Sequence, residues 1–253
     1  MKPYYEHGGI TIYHGDCRDV LPTVKADVLV TDPPYGIAYE SGRTGHHGGK
    51  ALPGIEGDGD TSLRDWVLLD WGRRPAIVFG SWKRQRPANV CTVLIWEKGD
   101  HVGMGDLSMP WKPNTEEIYV MGSGFTGHRG SSVLRFNAPV SWNSVAFGRH
   151  HAHEKPIDLM RELLGKCPDG TILDPFMGSG TTLRAAKDLG RKAIVVLLPG
   201  QDGFPARFLA ELQHRFGGKL HRGGYQIAPL AGLHGLARAG LVQVHGAGTR
   251  GLD

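Results

Sequence analysis

The run Thr31-Asp32-Pro33-Pro34-Tyr35-Gly36 follows directly on the apolar stretch Val28-Leu29-Val30. A strand that stops on an acid, two prolines and an aromatic makes a rigid turn at the carboxyl edge of a sheet, where α/β proteins bind their ligands. Each proline fixes φ and leaves a carbonyl without a competing N–H. The turn therefore presents one carboxylate, backbone oxygens and one ring in fixed relation. Such acceptors suit an amino group, and Tyr35 offers a face for stacking a planar base, a contact worth about 1–3 kcal/mol. Taken alone, the four residues also fit an ordinary proline turn.

A second run, Ile172-Leu173-Asp174-Pro175-Phe176-Met177-Gly178-Ser179-Gly180-Thr181-Thr182, reads as a strand passing through a glycine-rich turn into a helix. Glycine lets backbone approach a ligand closely, and a helix start offers unpaired N–H groups. A nucleotide-like ligand is expected. A dinucleotide loop would need G-x-G-x-x-G, but Leu183 stands at the third glycine, and no G-x-x-x-x-G-K-[ST] occurs. A turn serving only helix–strand packing is the plain alternative for this segment.

These turns need a scaffold. Short apolar runs at 10–13, 27–31, 76–79, 91–96, 117–121, 171–173 and 193–198 predict strands, and helical spacing predicts helices at 63–71, 156–164 and 181–189, with another at 206–216. The alternation implies an α/β fold with a mostly parallel sheet and helices on both faces. Gly190 suits the residue after a helix end. Residues 36–60 hold eight glycines and predict a loop, of the lid or binding kind, directly after Tyr35. From Pro199 the composition changes: 12 of the last 55 residues are Gly and no acid lies between Glu211 and Asp253. An unfolded tail and a packed extension are equally compatible with that stretch.

Composition narrows the classes. In 253 residues, 40% are hydrophobic and 21% charged, which fits a folded domain and not a disordered tail. No apolar run nears the roughly 20 residues of a membrane span, and the first residues lack the apolar core of a secretory signal. A soluble, cytoplasmic protein with no membrane association is the expectation. The net charge of +4 permits a polyanionic partner without requiring one. Cys17, Cys91 and Cys167 are too far apart in sequence for a C-x-x-C site and read as core thiols, and no metal is expected.

Together the two turns resemble the amino-methylating DNA methyltransferases, with Asp32-Pro33-Pro34-Tyr35 as the [DNS]-P-P-[YFW] motif and Phe176-Met177-Gly178-Ser179-Gly180 as the F-x-G-x-G loop. The first motif precedes the second, the circularly permuted order of the beta group. His14-Gly15-Asp16-Cys17 is similar to that family's acidic motif near the cofactor adenine, and His151-Ala152-His153-Glu154-Lys155-Pro156 to its H-P-T-Q-K-P segment. The histidines at 150, 151 and 153 belong to this segment on that reading, not to a metal site.

The resemblance implies a Rossmann-like catalytic domain over 1–198 with a target-recognition region near 97–150, followed by an atypical extension over 199–253. It implies S-adenosylmethionine as cofactor and double-stranded DNA as partner, with a homodimer and a cognate restriction endonuclease as the protein partners such enzymes take. Asp before the prolines is typical of adenine-N6 enzymes and Ser of cytosine-N4 enzymes. A target base would flip out of the duplex at a cost of a few kcal/mol and stack on Tyr35. Asp32 and the Pro33 or Pro34 carbonyl would then accept its amino hydrogens. Phe176, Gly178 and Gly180 would border the cofactor's methionine, Asp174 and Thr181 would hydrogen-bond to it, Asp16 would lie near its adenine, and Lys155 would meet its carboxylate. For DNA, Lys83, Arg84, Lys112, Arg129 and Arg135 are the candidate contacts, with Trp111 and Trp142 favoured as core residues.

One departure stands out. The strand after the helix usually ends on an acid that holds the cofactor ribose, but Leu197 or Leu198 occupies that place, which predicts weakened cofactor affinity. Alternatives are a cytosine-N4 enzyme, a methyltransferase acting on RNA or a protein amide, and a DNA-binding remnant without activity.

Overall fold

A computed structural model describes residues 1–37, 59–100, 105, 107–139 and 154–197, together with the backbone of 219–222 and 225–227. Its spine is an 11-stranded sheet in the order β11-β10-β1-β2-β9-β8-β3-β4-β6-β5-β7. The central block comprises β2 (Ile10–His14), β9 (Ala193–Leu197), β8 (Ile172–Asp174), β3 (Val28–Thr31) and β4 (Ala76–Gly80). It is parallel throughout. Outside it, β6 (Thr115–Met121) runs antiparallel between β4 and β5 (Val90–Glu97), and β7 (Val133–Arg135) lies parallel to β5.

Strand residues alternate between two cores. Val28, Val30, Ile77, Phe79, Ile172 and Val195 pack on one face with α3 (Ile157–Gly165) and α4 (Thr181–Asp188). Leu29, Ala76, Val78, Leu173 and Val196 pack on the other with α1 (Cys17–Val20) and α2 (Ser62–Trp71). This period of two makes β3 and β4 buried from end to end, as expected of strands covered on both sides. In α3, Leu159, Met160, Leu163 and Leu164 form one buried stripe, with Pro156 capping its start.

The expected α/β class, the parallel block and three of the predicted helices stand as read. The fourth, at 206–216, lies outside the described residues, as do Leu198 and most of the loop predicted at 36–60. Short elements went unpredicted: β1 (Tyr5–His7), α1 and β7, each three or four residues long. In the glycine-rich C-terminal stretch, β10 (Lys219–Arg222) pairs with β1 and β11 (Tyr225–Ile227) with β10, so that this part extends the sheet. Cys91 is exposed, which corrects its reading as a core thiol; Cys17 and Cys167 are buried. Among the described residues no helix is long and apolar enough to cross a membrane.

Topology fixes where a ligand belongs. From β3 the chain passes through α2 to β4 on one side, and from β8 it passes through α4 to β9 on the other. The seam between β3 and β8 is therefore the switch point, and a crevice opens beyond the carboxyl ends of these strands.

Candidate active site

Both predicted turns leave the sheet at this seam. Thr31 ends β3 and Asp174 ends β8, and the Thr31 hydroxyl donates to Asp174 Oδ1 at 2.7 Å. The backbone N–H of Phe176 donates to the same oxygen at 3.1 Å, and Thr182 adds a further side-chain bond. Burial pushes the Asp174 carboxyl up to about 6 against these three donors. Asp174 therefore acts as an internal brace for the turn. Phe176 is buried against the α2 side and contributes its backbone, while a Cβ built on Gly178 would meet nothing within 4 Å. Gly180 adopts φ 79°, a left-handed conformation open to glycine, and begins α4; Thr181 is buried with its hydroxyl 2.8 Å from that of Ser179.

On the β3 side, Pro33 and Pro34 are buried and Asp32 and Tyr35 half-buried. The turn is closed behind them: Gly36, at φ 74°, lies so near the Asp60 backbone that a Cβ would sit 2.6 Å from it, and the Arg84 guanidinium donates to the Gly36 carbonyl.

Lys155, just ahead of α3, reaches this turn. Its ammonium lies 2.7 Å from Asp32 Oδ2, 3.3 Å from the Tyr35 hydroxyl and 3.3 Å from Glu116 Oε2. The rings of Phe79, Tyr35 and Trp96 surround it at 5.0, 5.6 and 5.9 Å. An ammonium has three hydrogens, and each has an acceptor here. Its three donors are directed at Asp32, Tyr35 and Glu116. Burial alone would lower the Lys155 pKa, but the Asp32 and Glu116 carboxylates raise it above its ordinary value. For Glu116 burial works upward and is outweighed by the ammoniums of Lys155 and Lys98, so its carboxyl is held below the usual range. Lys98 Nζ sits 2.6 Å from Glu116 Oε1. The Tyr35 hydroxyl lies 2.7 Å from Asp32 Oδ1 and 3.1 Å from Glu116 Oε2, and burial first, then these two carboxylates, push its pKa well up.

At the end of β2, Asp16 caps α1 and accepts from the Arg18 backbone at 2.8 Å and from its guanidinium at 2.5–3.1 Å, which lowers its pKa. It stands beside β9, since the Gly15 N–H donates to the Leu197 carbonyl at 3.0 Å. Its carboxylate thus already has a partner in Arg18. Leu197 is 6% exposed and belongs to the core on the α3–α4 face.

The DNA candidates separate. Lys83 is exposed beside the exposed Trp82, with its ammonium 5.9 Å from the ring. Lys112 is exposed and donates to the Asp100 carbonyl at 2.6 Å, and Arg135 pairs with Glu97 at 2.9 Å. Lys83 follows β4, Lys112 precedes β6 and Arg135 ends β7, all on the same edge as Asp32. Arg84 is committed to the Gly36 carbonyl. Thr126 and His128 bond to Lys166, beyond α3 on the opposite edge of the sheet, which puts Arg129 away from the Asp32 turn. Trp111 is 77% exposed and Trp82 67%, so Trp111 is a surface residue and not the core residue expected. Trp142, Arg149 and His150, His151 and His153 lie outside the described residues.

The sequence reading missed Glu116, Lys98, Thr182 and Trp82. Only the strand period could have signalled Glu116, since it shares the Ile118 face of β6 while neighbouring Glu117 turns with Tyr119 to the other.

Residues 83–198 match the family described as DNA methylase, of the N6 and N4 methyltransferases. Across 244 residues the chain is 22% identical to the type II methyltransferase M.ScaI of Streptomyces caespitosus, covering 76% of this chain and 78% of that one. Its fold is similar to the crystal structure of the M1.HpyAVI–SAM complex, with TM-score 0.50, 21% identity and coverage of 76% of this chain and 95% of that one. It is likewise similar to the cytosine-N4-specific PvuII DNA methyltransferase, with TM-score 0.56, 15% identity and coverage of 85% and 94%. Both structures share the Rossmann-like fold found here.

Proposed function

We propose that the protein transfers the methyl group of S-adenosylmethionine to the exocyclic N6 of adenine in DNA. The observation that carries this reading is the 2.7 Å bond from Thr31 to Asp174, which sets the amino-accepting turn and the glycine turn side by side at the sheet's switch point.

The residues present fit the cofactor. The turn after β8 is braced from within by Asp174, leaves open space in front of Gly178 and leads into a helix start at Gly180. Phe176, Gly178, Gly180 and Thr181 would border the methionine part, with Asp16 and Arg18 at the neighbouring strand end. When bound, S-adenosylmethionine supplies an electrophilic methyl group.

The chain's own residues do the rest. A carboxylate has acceptor positions on both oxygens, and Asp32 would accept amino hydrogens there in exchange for the donors it now holds. Together with a proline carbonyl it would fix the nitrogen and turn its lone pair outward, an orientation effect that supplies several kcal/mol of a barrier. The Asp32 carboxylate would stabilise the positive charge that methylation places on that nitrogen. The surplus proton then leaves by way of Asp32, whose side chain is 30% exposed. Tyr35, with its hydroxyl end tied down, would hold the flipped base by its ring. The acid before the prolines favours adenine over cytosine. Lys83, Lys112 and Arg135 would meet phosphates, and Trp82 and Trp111 would add exposed aromatic surface on the same edge. A homodimer and a companion restriction endonuclease belong to the same reading, tested by sedimentation and by resistance of modified DNA to cleavage.

The deciding experiment is expression in a methylation-deficient bacterium followed by modification-sensitive sequencing. N6-methyladenine in one sequence context, lost with Asp32→Ala, is the expected result. N4-methylcytosine would reassign the base, and unmodified DNA from a protein that still binds it would make the chain a non-catalytic DNA binder.

A further inference from the structure

The Asp32 carboxylate has a counterpart. Each group that donates to Asp32 also lies within reach of Glu116: the Lys155 ammonium at 2.7 Å from one and 3.3 Å from the other, and the Tyr35 hydroxyl at 2.7 and 3.1 Å. Two carboxylates thus face two shared donors. A phenol has a single hydrogen, so it serves one carboxylate at a time, and the shorter distance puts it on Asp32. Glu116 Oε2 then faces the Lys155 ammonium and lies within reach of the phenol without holding its hydrogen. Its second oxygen is anchored by Lys98 at 2.6 Å. With Lys98 and Lys155 against Asp32 and Glu116, the charges balance two against two.

The arrangement bears on the reaction proposed above, and the inference rests on that reading. An amino group arriving at Asp32 competes with the phenol and the ammonium already there. Were Asp32 their only acceptor, displacing them would leave a buried hydroxyl and a buried ammonium short of a partner, which is costly. Glu116 removes that cost. We propose that Glu116, anchored by Lys98, is a positioning residue that takes over the Tyr35 and Lys155 hydrogens when the target amino group engages Asp32. The ring of Tyr35 stays tethered and Lys155 stays paired while Asp32 turns its acceptors to the base. The groups facing Lys155 in this exchange are Asp32 and Tyr35 from the β3 turn and Glu116 from β6, with Lys98, just past the end of β5, behind Glu116.

The test compares wild type, Glu116→Gln, Glu116→Asp and Lys98→Met in methyl transfer to DNA, each checked for folding by circular dichroism. Glu116→Gln should lower kcat/KM for DNA about 10- to 100-fold, the range expected when a charged hydrogen-bond partner is lost. KM for S-adenosylmethionine should not move, because Glu116 touches no residue of the glycine turn. Glu116→Asp should recover part of the loss and Lys98→Met should cause a smaller one. Because Glu116 acts through Tyr35, the effect of Glu116→Gln should shrink in a Tyr35→Phe background; a loss of equal size in both backgrounds, or no loss at all, overturns the proposal. A second readout needs no activity: the Lys155 Cε resonance, assigned with Lys155→Met, should titrate at lower pH in Glu116→Gln than in wild type. An unchanged titration overturns the proposal, whereas absence of methylation by wild type with a shifted titration overturns the enzymatic reading alone and leaves the pairing standing.

Discussion

Thr31 and Asp174, 143 residues apart in the chain, are joined by a 2.7 Å hydrogen bond across the seam of β3 and β8. That bond makes one site of two turns, and it also supports a buried acid whose carboxyl is pushed up to about 6.

For Asp174, whose carboxyl is raised from 3.8 to about 6, the native state holds a proton more tightly than the unfolded chain. Protonation thus favours the fold. Its contribution to stability is full below about pH 4, falls as pH rises to about 6 and is level beyond, on the order of 2–3 kcal/mol in all. Denaturant unfolding of wild type and Asp174→Asn at pH 4, 5, 6 and 7 checks this: the difference should shift in favour of the Asn variant with rising pH. Thr31→Val removes one donor to the carboxylate and should carry the upper end of the window to higher pH.

Tyr35 offers two separable contributions. Tyr35→Phe keeps the ring and loses the hydroxyl contacts to Asp32 and Glu116, while Tyr35→Ala loses both. If the ring stacks on the base, Ala should weaken binding of a DNA site by on the order of 1–3 kcal/mol relative to Phe, as read by fluorescence anisotropy at constant salt.

The edge carrying Lys83 and Lys112 should be read out by salt. Lys83→Ala or Lys112→Ala should each reduce the slope of log K against log salt by about 1, since each phosphate contact releases about one counterion. Arg129→Ala, on the opposite edge, should leave the slope unchanged. Trp82→Ala and Trp111→Ala should weaken binding with the slope retained.

At Leu197 the expected ribose-holding acid is replaced by a core residue. Isothermal titration calorimetry should give a dissociation constant for S-adenosylmethionine weaker than micromolar. Leu197→Glu should tighten it about 10-fold or more if the carboxylate reaches the ribose, and should lower Tm because a charge enters an apolar position.

The two turns were legible because each is a local event: a buried strand stops, and prolines or glycines follow at once. The strands that carry them were legible for the same reason, since burial on both faces writes continuous apolar runs such as Val28-Leu29-Val30. What surrounds Asp32 was not. Lys98, Glu116 and Lys155 come from three separate elements, and only the pairing of β5 with β6, Trp96 opposite Glu116, brings the first two together. Nothing in the pair Glu116-Glu117 tells which one faces the site until that register is known. Lys155 was legible by its segment, but its contacts with Asp32 and Glu116 were not, because a motif names a residue without saying which acceptors its side chain will meet. Trp111 was misjudged on composition, which favours burial of Trp, where the loop between β5 and β6 carries it outward. The short elements escaped because three residues cannot show a period.

The strand Lys219–Arg222 covers the backbone of Tyr5–His7, with Tyr5 opposite Leu220. A shortened version ending near Leu197 would keep both turns yet bare a row of unmet amides and carbonyls along β1, an open selvedge onto which other chains can knit. Such a truncation should therefore precipitate more readily on expression than the longer chain, a difference that light scattering would check.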